Sequence, residues 1–223
     1  MSKYLIGFIL IVLPHYLSAN SELSLGEFDQ RSLLEIALIL IIAILFFAER
    51  DHLIKKHKKE IEKLSSVDNL TALYNRSKID EVLEYHMHNV KRYKNSFSIV
   101  LLDIDNINKI NSKYGQSTGD DVLIDVAKIL SNSVRSSDVV GRWGSDEFMV
   151  ICPHTHEKNA LALAEKIRRR IHMYKFDHVG KVTASFGISE YNSEKHSLDE
   201  LVKNVNKALH YAKVSGRDQS SVH

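Results

Sequence analysis

Arg142-Trp143-Gly144-Ser145-Asp146-Glu147-Phe148 is the stretch of sequence that decides the fold. Apolar residues flank it on both sides, at residues 139–140 and at residues 149–152. Two short apolar runs separated by a Gly-Ser pair predict two antiparallel strands joined by a tight hairpin turn. Asp146 and Glu147 would then leave the turn side by side, at the start of the second strand.

A third apolar run, residues 97–102, predicts a buried strand that ends at Asp103. If this strand lies beside the hairpin, Asp103 and Asp146 converge. Carboxylate oxygens are ligands that Mg²⁺ prefers, and a divalent cation held in this way serves phosphoryl and nucleotidyl transfer. The pattern therefore favours a site for metal and triphosphate. The sequence has no glycine-rich P-loop, which argues against a P-loop GTPase.

Five segments of the chain carry a resemblance to a known family. They are Asp68-Asn69-Leu70-Thr71-Ala72-Leu73-Tyr74-Asn75-Arg76, the run from Asp103-Ile104-Asp105 to Asn111, Tyr114-Gly115-Gln116-Ser117-Thr118-Gly119-Asp120, the hairpin from Gly144 to Phe148, and Ala212-Lys213 with Gly216-Arg217. In order and spacing they resemble the motifs of the GGDEF domain of diguanylate cyclases, over residues 68–217. Five matches in register are far more specific than one. The resemblance implies an α+β fold with a single palm-like sheet flanked by helices, similar to the nucleotidyl cyclases.

The resemblance also implies a role for each matching residue. Mg²⁺, or Mn²⁺ in its place, would be held by Asp103, the backbone carbonyl of Ile104, Asp146 and Glu147. Asp146 and Glu147 would be the catalytic pair, with Glu147 acting as a metal ligand or as a base toward the attacking hydroxyl. The substrate-binding residues would be Asn111 and Asp120 at the guanine, Gly144 and Ser145 at the hairpin tip, and Lys213 and Arg217 at the terminal phosphates.

The reaction implied by the resemblance joins two GTP molecules into cyclic di-GMP and releases two pyrophosphates. In this family each domain holds one GTP, and the 3′-hydroxyl of one GTP attacks the α-phosphate of the other. Two domains must therefore face each other, so we expect a homodimer and a nearly inactive monomer.

Two departures from the family pattern bear on activity. Ser145 stands where the family has its second glycine, and a side chain there could crowd the nucleotide or strain the backbone if φ is positive. Asn108 replaces the usual lysine of the loop that follows the first strand. The alternative to an active cyclase is therefore a catalytically inactive GGDEF domain that senses cyclic di-GMP or GTP, or that serves as a dimerising scaffold.

Arg135 and Asp138 lie at the offset from the hairpin where the family carries its RxxD inhibitory site. The resemblance implies that they bind cyclic di-GMP and so produce product inhibition, and an arginine fork is suited to phosphate or to a guanine edge. The competing interpretation is a solvated helix end followed by a turn. The basic run at residues 168–170 is typical of a solvated helix face, although one of these arginines could supply the second arginine of that site.

Apolar segments precede the predicted domain. Residues 1–19 form either a transmembrane helix or a signal peptide, residues 20–32 a short external loop, and residues 33–48 a transmembrane helix. Lysines follow the second span, whereas the loop before it carries acidic residues. By the positive-inside rule this charge difference predicts that the domain lies in the cytoplasm, anchored to the inner (cytoplasmic) membrane. Residues 49–66 are predicted to form a helical linker, with a weak heptad pattern that leaves a single stalk and a dimeric coiled coil both open.

The remainder of the chain alternates helices and strands, which predicts one sheet with helices on its faces. The predicted helices are residues 77–93, 119–134, 157–173 and 198–214, with a strand at 181–189. We place the GGDEF domain at residues 67–218 and a tail at 219–223. A net charge of +2 over 223 residues gives no indication of a nucleic-acid partner. Cys152, the single cysteine, falls in a predicted strand and is expected in the core.

Overall fold

The computed structural model describes residues 36, 38–51, 53–54, 65–93, 96–191 and 197–223. The chain divides into two compact units, residues 1–59 and residues 60–223.

In the first unit all of the described residues, from position 36 onward, are helical. Within the described part of the chain, no helix has both the length and the apolar content needed to cross a membrane. The segments predicted at residues 1–19 and 20–32 lie outside the described residues, as does most of the predicted linker.

The second unit contains a five-stranded sheet and five helices among its described residues. In chain order the elements are α1 (Arg76–Tyr93), β1 (Phe97–Ile104), α2 (Ile107–Tyr114), α3 (Gln116–Ser131), β2 (Val139–Arg142), β3 (Glu147–Pro153), α4 (Glu157–Met173), β4 (Ala184–Tyr191), α5 (Leu198–Val214) and β5 (Ser220–Val222). The strand order is β2-β3-β1-β4-β5. All neighbouring pairs are antiparallel except β4 and β5, which are parallel.

Strand β1 lies in the middle of the sheet and is buried along its whole length. Alternate side chains enter two separate cores. Val100 and Leu102 pack with residues of α3 and α4 on one face, whereas Ile99 and Leu101 pack with residues of α1 and α5 on the other. Because both faces are covered, residues 97–102 of the strand are apolar except at Ser98 and do not alternate with polar residues. Each such buried side chain stabilises the fold by roughly 1.5–3 kcal/mol.

The predicted fold class, one sheet flanked by helices, is confirmed. The helices predicted at 157–173 and 198–214 are confirmed at both ends, but the one predicted at 119–134 begins and ends three residues earlier, at Gln116 and Ser131. It begins there because Gly115, with φ of 91°, separates it from α2. Helix α2 and strand β5 were not predicted from the sequence, and the expected tail at 219–223 contributes β5.

Candidate active site

The hairpin between β2 and β3 turns at Gly144 and Ser145. The N–H groups of Trp143 and Gly144 both donate to the carbonyl oxygen of Glu147, at 2.8 and 3.1 Å, and close the turn. Neither Gly144 nor Ser145 has a positive φ. A serine therefore fits this turn without the strain that a left-handed conformation would impose on it.

The hairpin brings its acidic residues to the end of β1. Asp103 and Glu147 are direct cross-strand partners, and the N–H of Ile104 donates to the carbonyl oxygen of Asp146 at 3.3 Å. Directly opposite residues of an antiparallel pair have Cβ atoms about 5 Å apart. The site thus forms at the end of the central strand β1, where the hairpin brings Asp146 and Glu147 near Asp103.

Lys213, from the last turn of α5, completes this cluster. Its Nζ lies 2.7 Å from Oδ2 of Asp103, whose side chain is only 9% exposed. Burial raises the pKa of Asp103 to about 6; the Lys213 ammonium opposes this shift, and the charges of Asp146 and Glu147 add to it. Burial likewise raises the pKa of Glu147, with a further contribution from Asp146. The charge of Lys213 therefore acts on both Asp103 and Glu147, and these two acids still hold their protons more tightly than free carboxyls do.

The donor set at this strand end is chemically suited to Mg²⁺ or Mn²⁺. Carboxylate and carbonyl oxygens are hard ligands, and a dication would favour the ionised form of Asp103, which burial and the charges of Asp146 and Glu147 disfavour. Within the described residues, no three His, Cys, Asp or Glu side chains already stand together as a ligand group. The metal set of Asp103, the Ile104 carbonyl, Asp146 and Glu147 stays a prediction.

The residues predicted to bind guanine lie on α2 and α3. The amide oxygen of Asn111 is buried and has no hydrogen-bond partner among the described residues. It packs so closely against Gly119 that a β-carbon at that position would force the Asn111 amide to move. A buried amide without a partner costs about 1–3 kcal/mol, which is typical of a group that a ligand satisfies. Asp120 follows Gly119 directly and is partly exposed.

Arg217 lies beyond the end of α5 in the segment that leads to β5. Its backbone N–H donates to the carbonyl oxygen of Ala212 at 3.1 Å, and its φ is 63°. The side chain is exposed and forms no ion pair with any described residue. Of the two predicted phosphate ligands, the structure therefore places Lys213 within the acidic cluster and leaves Arg217 open to solvent beside it in the chain.

Comparison with known proteins agrees with this arrangement. Residues 65–219 match the family model described as diguanylate cyclase, GGDEF domain. The chain belongs to the GGDEF family. Diguanylate cyclase DgcM of Escherichia coli (strain K12) is 33% identical to it over 165 residues, which make up 74% of this chain and 40% of DgcM.

Solved structures show the same fold. The active GGEEF domain of a diguanylate cyclase from Vibrio cholerae is similar with a TM-score of 0.64 at 29% identity, over 66% of this chain and 96% of that domain. The GGDEF domain of DgcB from Caulobacter crescentus, solved in complex with c-di-GMP, has a TM-score of 0.68 at 24% identity, over 71% of this chain and 95% of that domain. The chain spans less than half the length of the curated relatives that it matches first, 28% of one from Bacillus subtilis and 40% of DgcM.

The opening motif of this GGDEF domain braces the hairpin, a role that the sequence did not predict. The guanidinium of Arg142 lies 3.3 Å from Oδ1 of Asp68 and donates to the carbonyl oxygen of Ser145 at 2.6 Å. Thr71 donates twice to the same Asp68 oxygen, from its N–H and from its hydroxyl. Burial acts to raise the pKa of Asp68, but these hydrogen bonds and the charge of Arg142 together hold it below its usual value.

Asp105, the second aspartate of the strand-end motif, is also structural. It is 5% exposed and accepts hydrogen bonds from the hydroxyls of Thr183 and Ser185, both at 2.7 Å. The backbone N–H of Asp218 donates to it at 3.1 Å. Asp105 lies just beyond β1, which ends at Ile104. The two-residue period of a strand therefore does not place its side chain beside that of Asp103.

The predicted inhibitory pair occupies the rim of a separate cavity of about 370 Å³. Arg135 donates its N–H to a carboxylate oxygen of Asp138 at 2.9 Å, and Cys152 and Lys166 also line the cavity. Arg170 approaches the same cavity, because its guanidinium donates at 3.0 Å to the hydroxyl of Ser133, another lining residue. The second arginine of the site stays a prediction. Cys152 is 1% exposed, which confirms it as a core residue, and burial raises the pKa of its thiol to about 12.

Proposed function

We propose that this protein is a diguanylate cyclase that condenses two GTP molecules into cyclic di-GMP and two pyrophosphates. The observation that carries the proposal is the cluster of Asp103, Asp146, Glu147 and Lys213, where the end of β1 meets the start of β3 and a buried acid pairs with an ammonium group beside two further acids. Such a charge pattern matches the needs of nucleotidyl transfer, because negative charge develops on phosphate oxygens beside bound cations.

In the proposed reaction different side chains bind the guanine, the phosphates and the metal ion. Asn111 and Asp120 orient the guanine, and Lys213 and Arg217 hold the terminal phosphates as charge accumulates on the leaving pyrophosphate. Mg²⁺ or Mn²⁺, when held by Asp103, the Ile104 carbonyl, Asp146 and Glu147, supplies charge neutralisation at the phosphates.

The bond changes balance in each half of the reaction. A 3′-oxygen bonds to the α-phosphorus of the other GTP, the bond from that phosphorus to the bridging oxygen breaks, and the hydroxyl proton goes to a base. Glu147 is suited to that role because its raised pKa brings it closer to neutrality, where general bases act best. Repeating the step on the second GTP closes the ring, so the active form is a homodimer of facing domains.

Ser145 is compatible with activity. Its backbone does not need a glycine, and its hydroxyl donates to Oδ1 of Asp146 at 2.6 Å, which keeps that carboxylate oriented. The V. cholerae relative, named as an active GGEEF domain, also departs from the GGDEF signature in one position.

The same hydrogen bond supports the second candidate function. A hydroxyl that engages Oδ1 of Asp146 competes for an oxygen that a metal would use. The chain would then be an inactive GGDEF domain that senses cyclic di-GMP or GTP, with Arg135 and Asp138 at the cavity described above as its binding pair. In the cyclase, the same pair would instead give product inhibition.

We further propose that the protein is anchored in the inner membrane with its GGDEF domain in the cytoplasm. The described helical residues of the first unit expose large apolar side chains, such as Ile42, Ile44 and Phe46, each more than half exposed. Exposed apolar surface of this kind is typical of a lipid contact. The helical linker at 49–66 would pair two chains.

The test is product formation from GTP and Mg²⁺ by the full chain in detergent micelles, beside its Ser145→Gly and Asp146→Ala variants. Cyclic di-GMP from the parent and none from Asp146→Ala is the expected result. Product from Ser145→Gly alone would favour the sensor, and no product from either would overturn the cyclase.

A further inference from the structure

The segment that carries Arg217 has an unusual backbone. Gly216, Arg217 and Asp218 all have positive φ, at 119°, 63° and 46°. Glycine adopts this region freely, but each of the other two residues pays on the order of 1–3 kcal/mol for it. A conformation of this kind persists only where neighbouring groups hold it in place.

The side chain of Asp218 provides the first hold. Its Oδ1 accepts from the guanidinium of Arg168 at 2.9 Å, and its Oδ2 lies 2.7 Å from Nδ1 of His172, both on α4. Arg168 also forms a salt bridge with Glu165 at 3.0 Å. The carboxylate of Glu165 in turn accepts a hydrogen bond from the Ser220 hydroxyl at 2.6 Å. The hydrogen bonds from Arg168 hold the pKa of Glu165 below its usual value. Both oxygens of the Asp218 carboxylate are therefore engaged by side chains of α4.

The backbone of Asp218 provides the second hold, because its N–H donates to the buried carboxylate of Asp105 at 3.1 Å. Asp105 lies just beyond β1, and Asp103 near the end of that strand pairs with Lys213. The same strand end thus binds the chain on both sides of Arg217, at Lys213 before it and at Asp218 after it. Lys213 and Arg217 are held at a fixed separation as a result.

We propose that Asp218, together with Arg168 and Asp105, is a positioning unit that presents the Arg217 guanidinium to the triphosphate of the nucleotide substrate. Asp218 and Arg168 do not touch the substrate; they fix the left-handed backbone from which Arg217 projects. This inference rests on the proposed binding of GTP and deepens it. It predicts a defect confined to ligands that carry the terminal phosphates, since the residues predicted to bind guanine lie on α2 and α3.

The experiment measures equilibrium binding of GTP and of GMP to the full chain in detergent micelles, with KM and kcat where product forms. Asp218→Ala and Arg168→Ala should each weaken GTP binding about tenfold, the usual effect of losing one charge-assisted contact, and leave GMP binding within about twofold. KM should rise more than kcat falls. The matched control is Arg169→Ala, because this neighbouring arginine is exposed and its Nε donates to the Glu165 carbonyl oxygen; it should bind both ligands as the parent does.

A double-variant cycle separates positioning from general damage. Asp218→Ala should add little to the loss already caused by Arg217→Ala, because both remove the same phosphate contact. Additive losses, equal losses for GTP and GMP, or unchanged GTP binding would each overturn the inference. Asp218→Asn keeps an acceptor of the same shape for Arg168 and should recover part of the GTP affinity; it decides the question if Asp218→Ala does not fold. If selective loss of GTP binding occurs in a chain that makes no cyclic di-GMP, the positioning unit stands and the cyclase proposal fails.

Discussion

Replacing Asp103 with asparagine should make the metal-free protein more stable and abolish product formation. The pKa of Asp103 rises from an ordinary value of 3.8 to about 6 because the group is buried. A shift of about 2 units corresponds to about 3 kcal/mol of penalty for ionising the buried group. Because the folded pKa lies above the unfolded one, this penalty is absent below pH ~4 and fully present above pH ~6.

The assay is thermal unfolding of the full chain in detergent with EDTA, at pH 8 and at pH 4. We expect Asp103→Asn to gain about 1–3 kcal/mol at pH 8, or about 2–4 °C in Tm for each kcal/mol, and to gain nothing at pH 4. Added Mg²⁺ should raise the Tm of the parent and not that of the variant. A variant that melts at or below the parent at pH 8, or that gains equally at both pH values, would refute the reasoning.

Asp105→Asn is the matched control, because the same substitution two positions away should lower the stability of the protein instead of raising it. Asp105 accepts three hydrogen bonds, from Thr183, Ser185 and the Asp218 backbone. Both carboxylate oxygens accept these bonds, whereas in an amide only the oxygen accepts and the nitrogen donates. We therefore expect the free energy of unfolding to fall by about 1–3 kcal/mol at pH 8.

Three further outcomes are expected. Asp146→Ala should abolish synthesis while changing the free energy of unfolding by less than about 1 kcal/mol, because a partly exposed turn carboxylate contributes little to the core; chemical denaturation checks the second half. Arg135→Ala should relieve inhibition by added cyclic di-GMP in the synthesis assay, and inhibition as strong as in the parent would remove the pair from the allosteric role. Cys152 should resist a thiol reagent in the native protein and react after unfolding, because its thiol is buried and has a pKa of about 12; rapid native labelling would contradict the burial.

The sequence predicts the central strands and the hairpin well because their signals are local. Residues 97–102 of β1 are apolar except at Ser98, and the Gly-Ser pair marks the turn between the next two strands. Helix α2 was missed because only Ile107 and Ile110 of its eight residues enter the core, too few for a visible period. Strand β5 has three residues, two of them serine, and is held by pairing with β4. No local pattern distinguishes it from a tail.

The candidate site divides in the same way. The acids of the hairpin and Asp103 are visible because strand ends and a turn place them, whereas the support for Arg217 depends on contacts between distant parts of the chain. Asp105 and Asp218 are 113 positions apart, and Arg168 and Asp218 are 50 apart. Periodicity and spacing carry no information over such separations, so only the folded chain relates these residues.

Lys213 links stability to function at this site. Its ammonium now bonds to Asp103, yet in the proposed reaction it binds a phosphate. The ammonium has three N–H donors but a single positive charge. That charge would be shared with the triphosphate, so substrate binding would partly release Asp103 from Lys213. That release leaves Asp103, Asp146 and Glu147 with less positive charge nearby and increases their need for another cation. The ionised form of Asp103 is therefore unfavourable in the free protein, and the same property makes the site favour a cation and a triphosphate together.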